Sequence, residues 1–270
     1  MMSGASGSSS VPVYEPASPG DRFGPLIERR DDTDFPFYNG TPTALSTRQW
    51  ILMWVSVVVG FAALVLIPQP GNLVALIPRI LFVGIPLVVL AMVTREHWTA
   101  LFRKVHGRDV LTMIGFAVLN LVVTSALALI VQALFGVASN EAVEDAGKGG
   151  VLDTAAFYVG TGIQLVGEEV FTIVPFLALL YFLYAKAKLS RKTAIVLAWL
   201  LSAVWFGAAH LQTYDWNFAQ AFIVIGGARL VLTLAYIRTK NLWVSTGAHI
   251  INDWTLFTQA IVINAALVTL

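Results

Sequence analysis

Residues 154–185 read TAAFYVGTGIQLVGEEVFTIVPFLALLYFLYA, an apolar run with two adjacent carboxylates near its middle. The run exceeds the roughly 20 residues that a helix needs to cross the hydrocarbon layer of a bilayer. A carboxylate at that depth costs about 3 kcal/mol on insertion scales, and such residues usually face a bundle interior, where they pair or function. Glu168 and Glu169 therefore predict a membrane helix that carries a polar site.

The composition agrees with a membrane protein. Of the 270 residues, 57% are hydrophobic and 12% are charged, and the mean hydropathy is +0.75. This profile is typical of a polytopic helical membrane protein. The net charge of +1 says little about partners, because in a membrane protein the placement of Lys and Arg matters more than their sum. The sequence has no pattern typical of nucleic-acid binding, and we expect no nucleic-acid partner. The absence of cysteine excludes disulfides, thiolate metal sites and a cysteine nucleophile.

Apolar runs divide the rest of the chain and predict an all-α transmembrane bundle of seven or eight helices. The runs cover residues 50–68, 73–94, 110–135, 154–185, 193–210, 218–236 and 242–269. We expect residues 48–270 to form the bundle. Residues 1–47 are rich in Ser, Gly and Pro and predict a disordered polar tail.

The loops between the runs alternate in charge. REHWTALFRKVHGRD, KAKLSRK and RTK are basic, whereas the three loops that alternate with them are uncharged or acidic. Cytoplasmic loops of membrane proteins carry the excess of Lys and Arg, so the pattern predicts a cytoplasmic N-terminus. We expect an integral protein of a prokaryotic plasma membrane. No feature of the sequence indicates an oligomeric state.

Several charged residues and histidines lie inside the apolar runs. They are Arg79, Glu168, Glu169, His210, Arg229, His249 and Asp253. Arg79 follows Pro78 and is predicted to reach the lipid headgroups. The others are predicted to face the bundle interior, because their combined cost in lipid approaches the net stability of a domain.

Helical spacing groups these polar residues. His249 and Asp253 are four residues apart and share a helix face, with Asn252 beside them. Adjacent side chains on a helix diverge by about 100°, so Glu168 can face a cavity while Glu169 braces the helix. A carboxylate and two histidines on three helices supply either acid–base groups around a water molecule or ligands for a metal ion.

Three motifs resemble a known family. The pair Glu168-Glu169, the sequence FGAAH at residues 206–210 and the sequence YIRTKNLWVSTGAHIINDW at residues 236–254 are similar to the motifs of the CAAX protease and bacteriocin-processing family, also called CPBP or Abi. The family's motifs are E-E-x-x-x-R, F-x-x-x-H and H-x-x-x-N/D, and its members are intramembrane proteases. The resemblance covers about residues 150–257, which would form the catalytic core.

The resemblance assigns roles to these positions. Glu168 would activate a water molecule with His210 as its partner, and His249 with Asp253 would surround the oxyanion. Glu169 would be structural, and Asn252 and Phe206 would support the site. The family has been described both as metalloproteases and as metal-independent glutamate proteases. We expect no cofactor or metal; in a metal-dependent version, a divalent ion such as zinc would bind Glu168, His210 and His249.

Two features depart from a simple site. Ile173 stands where the motif has an arginine, and we hypothesise that Arg229 supplies the missing positive charge to Glu169. The predicted spans also place Glu168, His210 and His249 at three different depths. Either the loop LQTYDWN dips into a cavity, which is tolerated where protein or water satisfies the backbone, or the span ends differ.

Three functions follow. The first is an intramembrane endopeptidase that hydrolyses a peptide bond of a membrane-associated or lipidated substrate. The second is a non-catalytic family member that acts as an immunity or scaffold protein, with Ile173 marking the loss of activity. The third is a transporter or proton relay, although the inverted repeats typical of transporters are not evident.

Overall fold

The structure is a computed structural model that describes residues 18–29, 31, 33–139 and 149–268, and within these ranges it is all-helical. The α-helices are α1 (Thr47–Leu66), α2 (Asn72–Thr94), α3 (Gly107–Phe135), α4 (Val151–Tyr181), α5 (Arg191–Ala209), α6 (Gly226–Thr239) and α7 (Leu242–Val268). Short 3₁₀ helices cover Pro19–Asp21, Arg95–Leu101 and Gln212–Tyr214, and π-helical turns cover Phe182–Lys186 and Gln220–Ile225.

The helices match the seven apolar runs, and the prediction of a polytopic helical bundle is confirmed. In the described part of the chain, six helical segments are long and apolar enough to cross a membrane, from Thr47–Leu66 to Gln220–Thr239. The seventh run forms α7, which has 27 residues. Residues 140–148 lie outside the described ranges, so the eighth predicted helix stays a prediction.

Helix α4 forms the centre of the bundle. Of its most apolar window, 78% is buried, against 17% for α3, which lies at the periphery. Helices α1, α2, α5 and α7 all pack against α4. The central helix is therefore the one that carries Glu168 and Glu169, and its neighbours surround both carboxylates with protein.

Two glycines allow neighbouring helices to approach closely. A Cβ atom on Gly60 would lie 2.9 Å from the Phe82 carbonyl oxygen, between α1 and α2. A Cβ atom on Gly207 would lie 2.6 Å from the Ala221 carbonyl oxygen, between α5 and the turn that leads into α6. The second approach holds the end of α5, and with it His210, against the start of the α6 segment.

The described part of residues 1–47 does not form the disordered tail that composition predicts. Phe35, Phe37 and Tyr38 are each 1% exposed, and the Phe35 ring lies 5.5 Å from that of Phe176 in α4. Aromatic burial offsets the entropy of ordering this short segment. Residues 1–17, 30 and 32 lie outside the described residues.

An ionic cluster fixes the same segment to the helix ends. The Glu28 carboxylate is 1% exposed and accepts hydrogen bonds from Arg191, at the start of α5, at 2.8 and 2.9 Å. Lys240, between α6 and α7, lies 2.8 Å from the same carboxylate. Burial alone would raise the pKa of Glu28, but the hydrogen bonds from Arg191 and Lys240 outweigh burial and hold the pKa at about 2.

Candidate active site

One cavity brings the three motifs together. This site cavity has a volume of about 410 Å³, and its lining includes Glu168 from α4, His210 from the end of α5, and His249 with Asp253 from α7. A second cavity of about 780 Å³ shares Glu168 and His210 and is lined further by the loop after α5. The residues that lie far apart in the sequence therefore face a common space.

The loop after α5 explains how His210 reaches this space. Helix α5 covers nearly the predicted run, and the chain then turns back in the 3₁₀ helix Gln212–Tyr214, where Tyr214 is 8% exposed. Asn217 donates a hydrogen bond to the Gly136 carbonyl oxygen at 3.0 Å, so the loop is held against the end of α3. The loop lines the cavity, which is the first of the two alternatives that the sequence left open.

Glu168 has one oxygen held and one directed at the histidine side of the site. Its side chain is 12% exposed, and Oε1 accepts a hydrogen bond from Gln164 Nε2, one turn earlier, at 2.9 Å. Oε2 lies 3.8 Å from His249 Nε2, beyond hydrogen-bond distance. Oε2 is therefore the oxygen with capacity left to accept a proton or a hydrogen bond from water.

His210 presents one ring nitrogen to the cavity. Its Nδ1 lies 2.8 Å from the Phe206 carbonyl oxygen, which can only accept, so Nδ1 carries the hydrogen. The two rings also contact each other, with centroids 4.4 Å apart. The spacing F-x-x-x-H thus fixes the tautomer of His210 and leaves Nε2 as the acceptor nitrogen.

Glu169 forms an ion pair with an arginine of another helix. It is fully buried, and its Oε1 lies 2.7 Å from Nη1 of Arg229 in α6. The structure confirms the hypothesis that Arg229 supplies the positive charge missing at Ile173. Ile173 itself is 0% exposed and packs in the main apolar core.

The same carboxylate orients His249. Glu169 Oε1 accepts a hydrogen bond from His249 Nδ1 at 2.9 Å, which directs Nε2 to the cavity. There Nε2 lies 3.7 Å from Asp253 Oδ2 and 3.8 Å from Glu168 Oε2. Arg229 also lies 5.1 Å from the centroid of the Phe206 ring, the ring that contacts His210.

A chain of amides orients Asp253. Asn252 Nδ2 donates to Asp253 Oδ1 at 2.8 Å, and Asn120 Nδ2 in α3 donates to Asn252 Oδ1 at 3.1 Å. The Asn252 amide is thus engaged in positioning Asp253. Sequence reasoning missed Asn120, although a lone Asn in the apolar run 110–135 was an available signal.

Arg79 occupies a different place from the one that the sequence predicts. It is 8% exposed and lines the site cavity, so it does not reach the lipid headgroups as expected. A side chain at Gly160 of α4 would collide with the Arg79 guanidinium, so the glycine makes room for it. The direction in which Arg79 points depends on how α2 rotates against α4, which local sequence does not determine.

The predicted metal ligands do not form a metal site in this arrangement. Among the described residues, no group of three or more His, Asp or Glu side chains is placed to hold a metal ion. Nδ1 of both His210 and His249 donates to a protein acceptor, so Nε2 is the nitrogen of each ring that could bind a metal ion, and a zinc site needs three protein ligands at about 2 Å. We therefore derive no step through a metal, and its absence from the reaction stays a prediction.

Fold and site together define a polytopic helical membrane protein with a buried glutamate–histidine cluster that faces a cavity. Residues 150–255 match the family model described as Rce1-like, Type II CAAX prenyl endopeptidase Rce1-like. This match confirms the resemblance to the CAAX protease family for that part of the chain and includes all three motifs. Neither the curated proteins nor the solved structures gave a match.

Proposed function

We propose that the protein is an intramembrane endopeptidase that hydrolyses a peptide bond of a membrane-associated substrate. One observation carries the proposal: Glu168 and His210 line one cavity, and each keeps an acceptor atom that is free of protein donors among the described residues. The segment matched to an endopeptidase family contains both residues. A water molecule between two such acceptors can be activated for attack on a carbonyl carbon.

The proposed reaction begins at Glu168. Its Oε2 accepts a proton from the water while His210 Nε2 orients the same water. The resulting hydroxide attacks the peptide carbonyl carbon, and the carbonyl oxygen becomes an oxyanion. Glu168 then returns the proton to the leaving nitrogen, the C–N bond breaks, and a new carboxylate and a new amine are released.

His249 would stabilise the oxyanion with a hydrogen bond. With Nδ1 fixed by Glu169, Nε2 is the nitrogen that faces the cavity, and in the protonated ring it donates a hydrogen bond. Asp253 lies on the same side, with Oδ2 3.7 Å from that nitrogen. Donors fixed before the reaction stabilise a developing oxyanion without reorganisation, which is usually the largest single contribution to catalysis.

The non-catalytic alternative drew its support from Ile173. Ile173 no longer favours a loss of activity, because Arg229 provides the positive charge for Glu169 from another helix. The transporter alternative has no specific support among the described contacts.

The proposed setting is the lipid bilayer of a prokaryotic plasma membrane, with the N-terminus in the cytoplasm. The proposed partner is a membrane-associated peptide or protein, and no cofactor is proposed. The basic loops support the orientation through the rule that cytoplasmic loops are rich in Lys and Arg.

Cleavage by the purified protein in lipid nanodiscs tests the proposal. Mass spectrometry would follow a panel of membrane-associated peptides, with and without attached lipid, for the wild type, Glu168→Gln and a control. Glu96→Gln is the matched control, because this carboxylate is 76% exposed and lies outside the site. We expect Glu168→Gln to lower turnover at least about 100-fold, which is typical for loss of a general base, and Glu96→Gln to leave it unchanged.

Two other outcomes would change the account. Undiminished cleavage by Glu168→Gln, or no cleavage of any peptide by the wild type, would contradict the proposal, and the second result would favour the scaffold. Loss of cleavage on addition of a chelator would overturn the expectation that no metal takes part.

A further inference from the structure

Arg79 is the buried charge that the proposed reaction leaves unused. It is 8% exposed, and its Nε and Nη1 atoms have no hydrogen-bond partner among the described residues. An unpaired charge is costly to bury, since it loses its hydration without compensation. Two of the three guanidinium nitrogen atoms are therefore available to donate to a ligand that enters the cavity.

The residues around Arg79 leave space for its guanidinium. It lines the site cavity, and Gly160 opposite it leaves the space that a side chain would fill. Thr124 in α3 lines the same cavity, and its Oγ1 is also buried without a hydrogen-bond partner among the described residues. Two hydrogen-bond donors, one of them charged, thus face one space with no acceptor assigned to them.

The acids in the cavity do not neutralise Arg79 by direct contact. Glu168 and Asp253 line the same space, yet neither forms an ion pair with Arg79 among the described residues. Each of them instead faces His249. The arrangement leaves a gap between a charged donor on α2 and the proposed base on α4, and a ligand can lie in that gap.

We propose that Arg79 and Thr124 form an anion-binding subsite for a carboxylate of the substrate peptide. The carboxylate is either the C-terminus of the peptide or an Asp or Glu side chain. Arginine binds carboxylates with two parallel hydrogen bonds, which adds geometric selectivity to charge. A carboxylate held at Arg79 would determine which peptide bond reaches Glu168, because both residues line the same cavity.

Arg79 and Thr124 lie outside residues 150–255, so the matched family segment does not include them. The inference rests on the proposed function, because it treats the ligand as a substrate. Its test is a binding measurement, which does not require that the protein cleaves anything.

The experiment compares three peptides on the full chain in lipid nanodiscs. The probes are radiolabelled trileucine with a free carboxylate, its C-terminal amide, and N-acetyl-Leu-Glu-Leu amide. Retention on the wild type and on Glu168→Gln is compared with retention on Arg79→Gln and Gly160→Ala. In Gly160→Ala the positive charge remains, but the flexible end of Arg79 must move away, so the variant tests position at little cost to folding. Gly84→Ala, where the added atom meets open space, and Arg108→Gln, at an exposed position, are the controls.

We expect the free acid to bind about ten to a hundred times more tightly than the amide, which is the usual effect of a hydrogen bond to a charged group. The preference should disappear in Arg79→Gln and Gly160→Ala and persist in both controls. Tight binding of the glutamate-containing amide identifies a side-chain carboxylate, and its absence identifies the C-terminus. Equal binding of all three peptides by the wild type, or a preference for a carboxylate that survives in Arg79→Gln, would overturn the inference, whether or not the protein cleaves peptides.

Discussion

Glu169 serves two partners with one oxygen atom, and this decides what its replacement does. Oε1 contacts Arg229 at 2.7 Å and His249 Nδ1 at 2.9 Å. A substitution therefore removes both the partner of a buried cation and the acceptor that fixes a histidine ring. Stability and activity should respond separately to changes at this position.

Exchange of the two charges separates these effects. Glu169→Arg or Arg229→Glu alone should destabilise the protein by about 3–5 kcal/mol, because each leaves buried like charges without a partner. The double exchange should recover much of that stability, since the ion pair is restored. It should not recover peptide cleavage, because an arginine at position 169 cannot accept the hydrogen bond from His249.

Thermal unfolding and peptide turnover of the single and double variants measure the two effects. Arg238→Glu, at a cation that bonds backbone carbonyl groups of the N-terminal segment and is not part of the site, is the control for charge reversal as such. Full activity of the double variant would show that His249 does not depend on Glu169.

At the scale of single residues, the sequence predicted most of the charged residues in the site and the pairing of Glu169 with Arg229. The cost of charges in lipid selected Glu168, Glu169, Arg229 and His249 in advance. The sequence did not predict that Arg79 and Asn120 lie at the site, because the position of each depends on the rotation of one helix against another. Burial of a lone polar residue is decided by such packing.

The close approach of α5 to the turn before α6 depends on one glycine. In Gly207→Ala the new methyl group would meet the Ala221 carbonyl oxygen at 2.6 Å, and backbone cannot move away as a flexible side chain can. We expect a loss of about 1–3 kcal/mol in stability, as for other overpacked cores. Because His210 follows α5 directly, peptide turnover should also fall.

Gly115→Ala is the matched control, since a Cβ atom there has no neighbour within 4 Å. Thermal unfolding in nanodiscs compares the two variants. If both unfold at the wild-type temperature, the helices are not held at the distance described for Gly207.

The N-terminal segment should detach from the helix ends at acidic pH. The pKa of Glu28 is about 2 in the folded protein, below its ordinary value of 4.5, so its carboxylate stabilises the fold above about pH 4.5. That contribution falls as the pH drops from about 4.5 towards 2. Replacement by Gln should remove this part of the pH dependence and cost about 3 kcal/mol at pH 7, because Lys240 loses its partner.

Limited proteolysis within residues 18–46, followed between pH 7 and pH 3, measures this detachment. Asp21→Asn is the control, because Asp21 is exposed and its carboxylate has the nearby Ser18 as its one hydrogen-bond partner among the described residues. The same acid dependence in Glu28→Gln and the wild type would contradict the role given to Glu28.

At the scale of elements, the helices were predictable and the N-terminal segment was not. Long apolar runs are set by the thickness of a bilayer, so they locate helices to within a few residues. The segment around Phe35 has no such run, and its order depends on Arg191 and Lys240, which lie more than a hundred residues away in sequence. Composition averages over a window and does not register such distant partners.

For the whole molecule, the orientation in the membrane is a prediction that the chain itself makes easy to test. The protein has no cysteine, so a thiol reagent labels only the cysteine that is introduced. In spheroplasts of a bacterial host, a membrane-impermeant maleimide should label Gln212→Cys directly and Arg108→Cys only after permeabilisation. Both positions are exposed, and the reverse pattern would contradict the orientation.

The arrangement of the whole bundle explains why sequence left the depth of the site open. Hydropathy locates each helix along the chain, yet the site cavity is lined by residues of six helices, α2 to α7, and of the loop after α5. Loops at membrane depth are allowed only where protein or water satisfies their backbone. That condition is a property of the assembled bundle and carries no local signal.

The central claim is that Glu168 and His210 act together on one water molecule, and a double-mutant cycle tests it most directly. Turnover of a cleaved peptide would be measured for the wild type, Glu168→Gln, His210→Ala and the double variant, each confirmed as folded by its unfolding temperature. Residues that act as a unit have strongly non-additive effects. We predict that each single change lowers turnover about 100-fold or more and that the double variant is no slower than the slower single one. Losses that multiply in the double variant, or wild-type turnover in either single variant, would contradict the account.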